Sequence, residues 1–127
     1  EIKEFFPQYL KINKDDRGEF VEILKAKGEN QISYSTTKPG VVRGNHFHRR
    51  KIERFIVIKG KADINLRKIG SDEILTFHLD GKNPAFVDMP IWYTHNIINT
   101  GNDELYTIFW INEFYDPDNP DTFFEKV

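Results

Sequence analysis

The sequence predicts an all-β fold, a sandwich or barrel, on three observations. Short runs of β-branched and aromatic residues recur along the chain, Gly, Pro, Asp and Asn cluster between them, and no segment sustains a helical period.

Taken in order, a turn at Asp16–Gly18 opens onto a strand over Glu19–Leu24, and a second strand follows over Gln31–Thr36. Lys38-Pro39-Gly40 ends that pair, because proline fixes one backbone torsion and glycine admits the left-handed one. Strands are then expected over Arg54–Ile58 and Ala62–Arg67, joined at Lys59-Gly60. The second of these alternates apolar and polar residues, so one face belongs to the core and the other to water. Gly70-Ser71 leads to Glu73–Leu79, Asp80-Gly81 to Ala85–Asp88, and Gly101-Asn102-Asp103 separates His95–Asn99 from Leu105–Ile111. The closing Asp116-Pro117-Asp118-Asn119-Pro120-Asp121 reads as extended or turning chain on the barrel surface, with Phe123 and Phe124 expected to pin it down.

With 127 residues, 39% of them hydrophobic, the chain is expected to be one domain, residues 1–127, with a core of its own. A formal net charge of −2 gives no global field for a nucleic-acid backbone or an anionic bilayer. The expectation is no nucleic-acid and no membrane partner. Without cysteine there is neither a disulfide framework nor a thiolate ligand or nucleophile. The sequence opens at Glu1 without a charged leader or an apolar run of membrane length, so a soluble chain is expected, with a longer parent left open.

Three of the four histidines fall in two short blocks, His46-Phe47-His48 and His95, and Glu53 follows the first block by five positions. On a strand, residues i and i+2 share a face, so His46 and His48 can reach one ion inside a barrel while Phe47 packs outside. Glu53 can add a carboxylate oxygen from the next strand. Imidazoles with one carboxylate suit first-row divalent ions and leave positions open for water or substrate. His78 stands alone on an alternating strand and is expected to be structural or exposed.

Gly40-x5-His46-x-His48-x4-Glu53-x6-Gly60 matches the first cupin motif at each defined position, and Pro90-x4-His95-x3-Asn99 matches most of the second. The family pattern places Gly where this chain has Trp92, and an earlier Gly where it has Pro84. The resemblance implies a jelly-roll barrel (a double-stranded β-helix), a metal on His46, His48, Glu53 and His95, and a homodimer.

Asp16-Arg17-Gly18-Glu19-Phe20-Val21-Glu22 and Arg43-Gly44-Asn45-His46-Phe47 resemble segments of the deoxysugar epimerase and ketoisomerase cupins. Lys38-Pro39-Gly40, Gly44-Asn45-His46-Phe47-His48, Val87-Asp88-Met89-Pro90, Tyr93-Thr94-His95-Asn96-Ile97 and Asn112-Glu113 through Asn119-Pro120-Asp121-Thr122 are similar to a narrower group. That group is the C-terminal cupin of bifunctional capsular-polysaccharide reductase/epimerases, and the likeness runs from about Leu10 to Val127. It implies a zinc-binding cupin that epimerises C3 of a UDP-linked 2-acetamido-2,6-dideoxy-4-keto-hexose in the cytoplasm. The implied partner is an NADPH-dependent reductase, fused or separate, since this chain lacks the Gly-rich turn of a dinucleotide fold.

In the metal-free deoxysugar epimerases the histidine at the position of His46 is the base, a role that competes with metal ligation here. Tyr93 and Lys38 are the other acid–base candidates. Their ordinary alternatives are a packed barrel residue and a solvated turn residue. Arg43 is the candidate for a pyrophosphate, while Arg49, Arg50 and Lys51 read as a solvated face. Phe47 and Trp92 either stack a base or sugar or simply pack. A sugar-nucleotide ketoisomerase, a non-catalytic sugar-binding cupin and a cupin-type metal oxidase or dioxygenase stay open as alternatives.

Overall fold

A computed structural model describes Phe6, Tyr9, residues 11–28 and residues 30–127, so Leu10, where the likeness begins, lies outside the described residues. Eleven strands are found among them: β1 (Asn13–Asp15), β2 (Gly18–Ala26), β3 (Asn30–Thr37), β4 (Val42–Phe47), β5 (Glu53–Lys59), β6 (Lys61–Lys68), β7 (Ile74–Asp80), β8 (Phe86–Met89), β9 (Tyr93–Asn99), β10 (Leu105–Ile111) and β11 (Phe123–Phe124). They form two antiparallel sheets, in the orders β1-β2-β3-β10-β5-β8 and β11-β4-β9-β6-β7, the all-β jelly roll of a cupin. No described helix is long and apolar enough to cross a membrane.

Alternation decides what goes inside. In β5 the residues Phe55 and Val57 are buried, in β6 Ala62, Ile64 and Leu66, and in β9 Ile97, and these pack with Met89 and Leu105 as one apolar cluster. Each fully buried large side chain of this kind contributes roughly 1.5–3 kcal/mol. The next inward positions of β5 and β9 are Glu53 and His95 instead, both buried and opposite Met89 and Leu66 of the cluster. The same period that builds the core thus delivers the polar site.

The structure corrects three expectations. First, β4 ends at Phe47, so His48 lies just past a strand and not within one. Second, the closing segment lies on the surface over Asp116–Asn119 as expected, but its two phenylalanines hold it differently. Both pair with β4 as β11, opposite Phe47 and His46; the Phe123 ring stacks on Phe47 at 5.4 Å, whereas the Phe124 side chain is 81% exposed. Third, Lys51 is only 6% exposed, whereas Arg49 and Arg50 are on the surface.

At the position where the family pattern has Gly, Trp92 takes the glycine-like conformation, φ 63. Its amide donates to the His48 carbonyl at 2.8 Å and its carbonyl accepts from Ile69. The indole stacks on Phe47, 5.6 Å away, and the Arg49 guanidinium lies over both the Trp92 and Phe123 rings, at 5.6 and 5.7 Å. Phe47 and Trp92 therefore pack on each other.

Candidate metal centre and cavity

His46, His48 and His95 converge from two strands and the loop after one of them. The β4–β9 register slips between Gly44 and His46, which sets His46 opposite His95. The extra residue is Asn45, at φ 61, and such a bulge re-aims the side chain that follows it. Two partners lock it: Asn45 Oδ1 accepts from Asn96 Nδ2 at 3.0 Å and from the Val127 amide at 3.2 Å. Gly44 is required beside it, since at φ 105 a Cβ would stand 2.7 Å from the His95 carbonyl oxygen.

The imidazole centroids of His46, His48 and His95 lie 4.8 to 5.3 Å apart. With Glu53 at the start of β5, one donor atom from each residue falls within 4.8 Å of all the others. His48 Nε2 and His95 Nε2 are buried and have no hydrogen-bond partner, although Glu53 Oε1 is in ion-pair contact with His48 Nε2. Buried ring nitrogens without partners are costly unless something else satisfies them. A divalent cation meets that need, and three imidazoles with one carboxylate are a donor set that first-row ions accept.

The electrostatics favour the same occupant. Burial brings His46 down to about 4 and His95 to about 3, against the opposing pull of Glu53. Burial alone would raise Glu53, but contact with His48 and the positive potential of His95, His48 and Lys51 outweigh it and hold the carboxyl at about 2. Neutral His46 and His95 beside an ionised Glu53 are protonation states from which metal is bound.

The other ring nitrogens are oriented from behind. His48 Nδ1 lies 2.7 Å from the Asp121 carbonyl oxygen, and His95 Nδ1 lies 3.4 Å from that of Tyr93. Phe55 meets His95 edge-on at 5.7 Å.

His46, His48 and Glu53 form part of the wall of a cavity of about 550 Å³, a volume suited to a small organic ligand. Phe20, Phe109 and Tyr115 give it aromatic walls, and Gln31 and Ser33 polar ones. Arg17, Arg43 and Lys51 are its cations. Arg17 is paired with Asp15 at 2.6 Å. Arg43 lines the cavity as a ligand-binding arginine would, yet it spends Nε on Thr37 Oγ1 and Nη2 on the Thr36 carbonyl, both at 2.9 Å. Lys51 has no side-chain hydrogen bond or ion pair among the described residues; its Nζ lies 5.9 Å from the Tyr115 ring centre.

Lys38 and Tyr93 are not among the residues lining this cavity: Lys38 is exposed at its turn, and Tyr93 packs against the apolar cluster. His78 is exposed and paired with Asp63 at 2.6 Å. Asn99, at the end of the second motif, is structural, with Nδ2 donating to the Thr37 and Asp103 carbonyls at 2.8 Å. Sequence reasoning missed Lys51, Tyr115 and Asp121. The spacing argument used for His46 and His48 applies equally to Lys51 and Glu53, and Asp121 sits in a tail segment already quoted for its likeness.

Residues 13–123 match the family model described as the polysaccharide biosynthesis C-terminal domain. The chain is 38% identical over 118 residues to the UDP-2-acetamido-2,6-beta-L-arabino-hexul-4-ose reductase of Pseudomonas aeruginosa, covering 93% of this chain and 32% of that protein. It is 29% identical to the probable low-salt glycan biosynthesis epimerase Agl13 of Haloferax volcanii, covering 88% of this chain and 80% of that one. It superimposes on the crystal structure of the capsular polysaccharide assembling protein CapF of Staphylococcus aureus with a TM-score of 0.94 and 42% identity, over 98% of this chain and 34% of that one. The chain thus spans about a third of the length of the first and last of these.

Proposed function

Because the chain belongs to the polysaccharide biosynthesis C-terminal domain family, we propose that it epimerises C3 of a UDP-linked 4-keto-6-deoxy amino sugar in capsule or surface polysaccharide synthesis. A divalent ion, zinc in our reading, is held by His46, His48, Glu53 and His95. The observation that carries this reading is the four-residue donor group, three of whose members, His46, His48 and Glu53, line a cavity of ligand size. The name of one relative, a probable glycan biosynthesis epimerase, supports the reaction class, and that of another, a reductase of a UDP-linked hexulose, supports the substrate class.

Loss of the C3 proton next to a ketone makes an enolate, and the barrier is its negative charge. When bound, the ion supplies Lewis acidity toward the ketone oxygen, which counts for more as that charge grows. The chain's own residues do the rest. Phe20, Phe109 and Phe55 give the cavity apolar walls, and charges beside such walls interact more strongly than in open water. Lys51, which has no ion pair or side-chain hydrogen bond among the described residues, offers a positive charge to an anionic oxygen, and Arg43 retains unspent donors for a phosphate.

A base and an acid must lie within hydrogen-bond reach of C3. His46 has the position of the base in the metal-free epimerases, and Lys51 and Tyr115 are the other proton-bearing groups of the cavity. Tyr93 and Lys38 stay in the set to be tested. We further propose that the domain works in the cytoplasm as a homodimer, with an NADPH-dependent reductase fused or separate.

The test is to incubate the protein with the UDP-linked 4-keto-6-deoxy amino sugar in deuterium oxide and follow the C3 proton by NMR. Washout that a chelator abolishes is expected, and product analysis then separates epimerase from ketoisomerase. No washout from zinc-loaded protein overturns the reading in favour of a sugar-binding module.

A further inference from the structure

The loop from His48 to Lys51 carries one proposed ligand and leads into another, and its hold on the barrel comes largely from one residue of the tail. Asp121 is 4% exposed and sits at φ 51, the left-handed region that Asp and Asn enter more readily than most residues with a side chain. Its carboxylate accepts from three successive amides: Arg49 at 3.0 Å, Arg50 at 2.8 Å and Lys51 at 3.0 Å. Its carbonyl oxygen meets His48 Nδ1 at 2.7 Å. The left-handed backbone lets one residue present both groups to the same loop at once.

A carbonyl oxygen can only accept, so this contact places the His48 proton on Nδ1. Nε2, which faces Glu53, is then the nitrogen left to turn its lone pair to an ion bound between them. The carboxylate does complementary work, because three amides drawn to one anion fix the path of the backbone on which His48 rides. Outer partners that fix tautomer and ring orientation are worth about 10–100-fold in metal affinity.

We propose that Asp121 is a positioning residue for the metal centre: through its carbonyl it sets the tautomer and aim of His48, and through its carboxylate it fixes the loop that carries it. The proposal rests on the reading that the four-residue group holds a divalent ion.

The test compares wild type, Asp121→Ala, Asp121→Asn and the exposed tail variant Asp118→Ala. Zinc affinity is measured by competition with a chromophoric chelator, and the visible spectrum of each cobalt-substituted protein is recorded. Asp121→Ala should bind zinc about 10–100-fold more weakly and show an altered cobalt spectrum, whereas Asp118→Ala should match wild type in both. Asp121→Asn tolerates the same backbone and keeps one accepting oxygen, so it should fold and lie between the two. Should Asp121→Ala not fold, Asp121→Asn decides the matter: affinity within twofold of wild type with an unchanged spectrum overturns the proposal. The proposal also fails if Asp121→Ala melts at a lower temperature yet binds zinc like wild type, because the role is then only structural. Wild type taking up no stoichiometric zinc is a separate result, which overturns the metal reading and this inference with it.

Discussion

The carboxylate of Glu53 sets the charge of the site. It is buried, it opposes the fall of His46 and His95, and it alone among the four donors brings negative charge to a dication. Glu53→Gln keeps the volume and removes that charge, so zinc affinity should fall by on the order of 100-fold or more, a larger loss than outer partners cause; a zinc titration checks it. Gly44 is decided by sterics, not charge. Gly44→Ala puts a methyl 2.7 Å from the His95 carbonyl at a positive φ, and should cost about 2–3 kcal/mol in urea unfolding. The four donors were legible in the sequence because a period of two and the step to the next strand are local facts. Lys51 and Asp121 were not. Asp121 meets its amides across 70 to 72 positions, and Lys51 reads as one of a run of surface cations until the barrel closes over it.

At the scale of elements, the strands with continuous β-branched runs, such as β6 and β10, were readable from composition alone. β4 was not read as a strand in its own right, because Gly44 and Asn45 interrupt the run. That interruption is the bulge that aims His46, so the feature that hid the strand is the one the site needs. β1 and β11 have three and two residues, and they exist only by pairing with neighbours already in place. Trp92 shows the opposite case, a residue that breaks the expected pattern while the backbone keeps it. Asn99 ties the end of β9 to β3 and to the following loop, well away from the ligand atoms. Asn99→Ala leaves buried groups unpaired and should destabilise by about 1–3 kcal/mol, with zinc affinity unchanged; a thermal melt and a zinc titration run together separate the two effects.

At the scale of the molecule, the donor group sits against the apolar cluster of the barrel, with Met89 opposite Glu53 and Leu66 opposite His95. The apolar cluster of Phe55, Val57, Ile64, Leu66, Met89 and Leu105 contains none of the four donors, so the fold is expected to survive without metal. Chelation should leave the far-ultraviolet circular dichroism of the sheets in place while lowering the melting temperature. With zinc at 100 times its dissociation constant the linkage is worth about 2.7 kcal/mol, or roughly 10 °C for a chain of this size. Loss of β-sheet signal on chelation would instead make the ion part of the folding core. The sandwich or barrel was legible from strands and turns, but the jelly-roll order of the two sheets came only through motif likeness. Strand runs carry no record of which non-adjacent strands pair.

The most direct test of the central claim is a crystal of the zinc-loaded protein measured on both sides of the zinc absorption edge. One anomalous peak per chain is predicted, within bonding distance of His46, His48, Glu53 and His95 and open toward the cavity lined by Phe20, Phe109 and Lys51. No peak there at full zinc loading, or a peak held by other residues, would contradict the account.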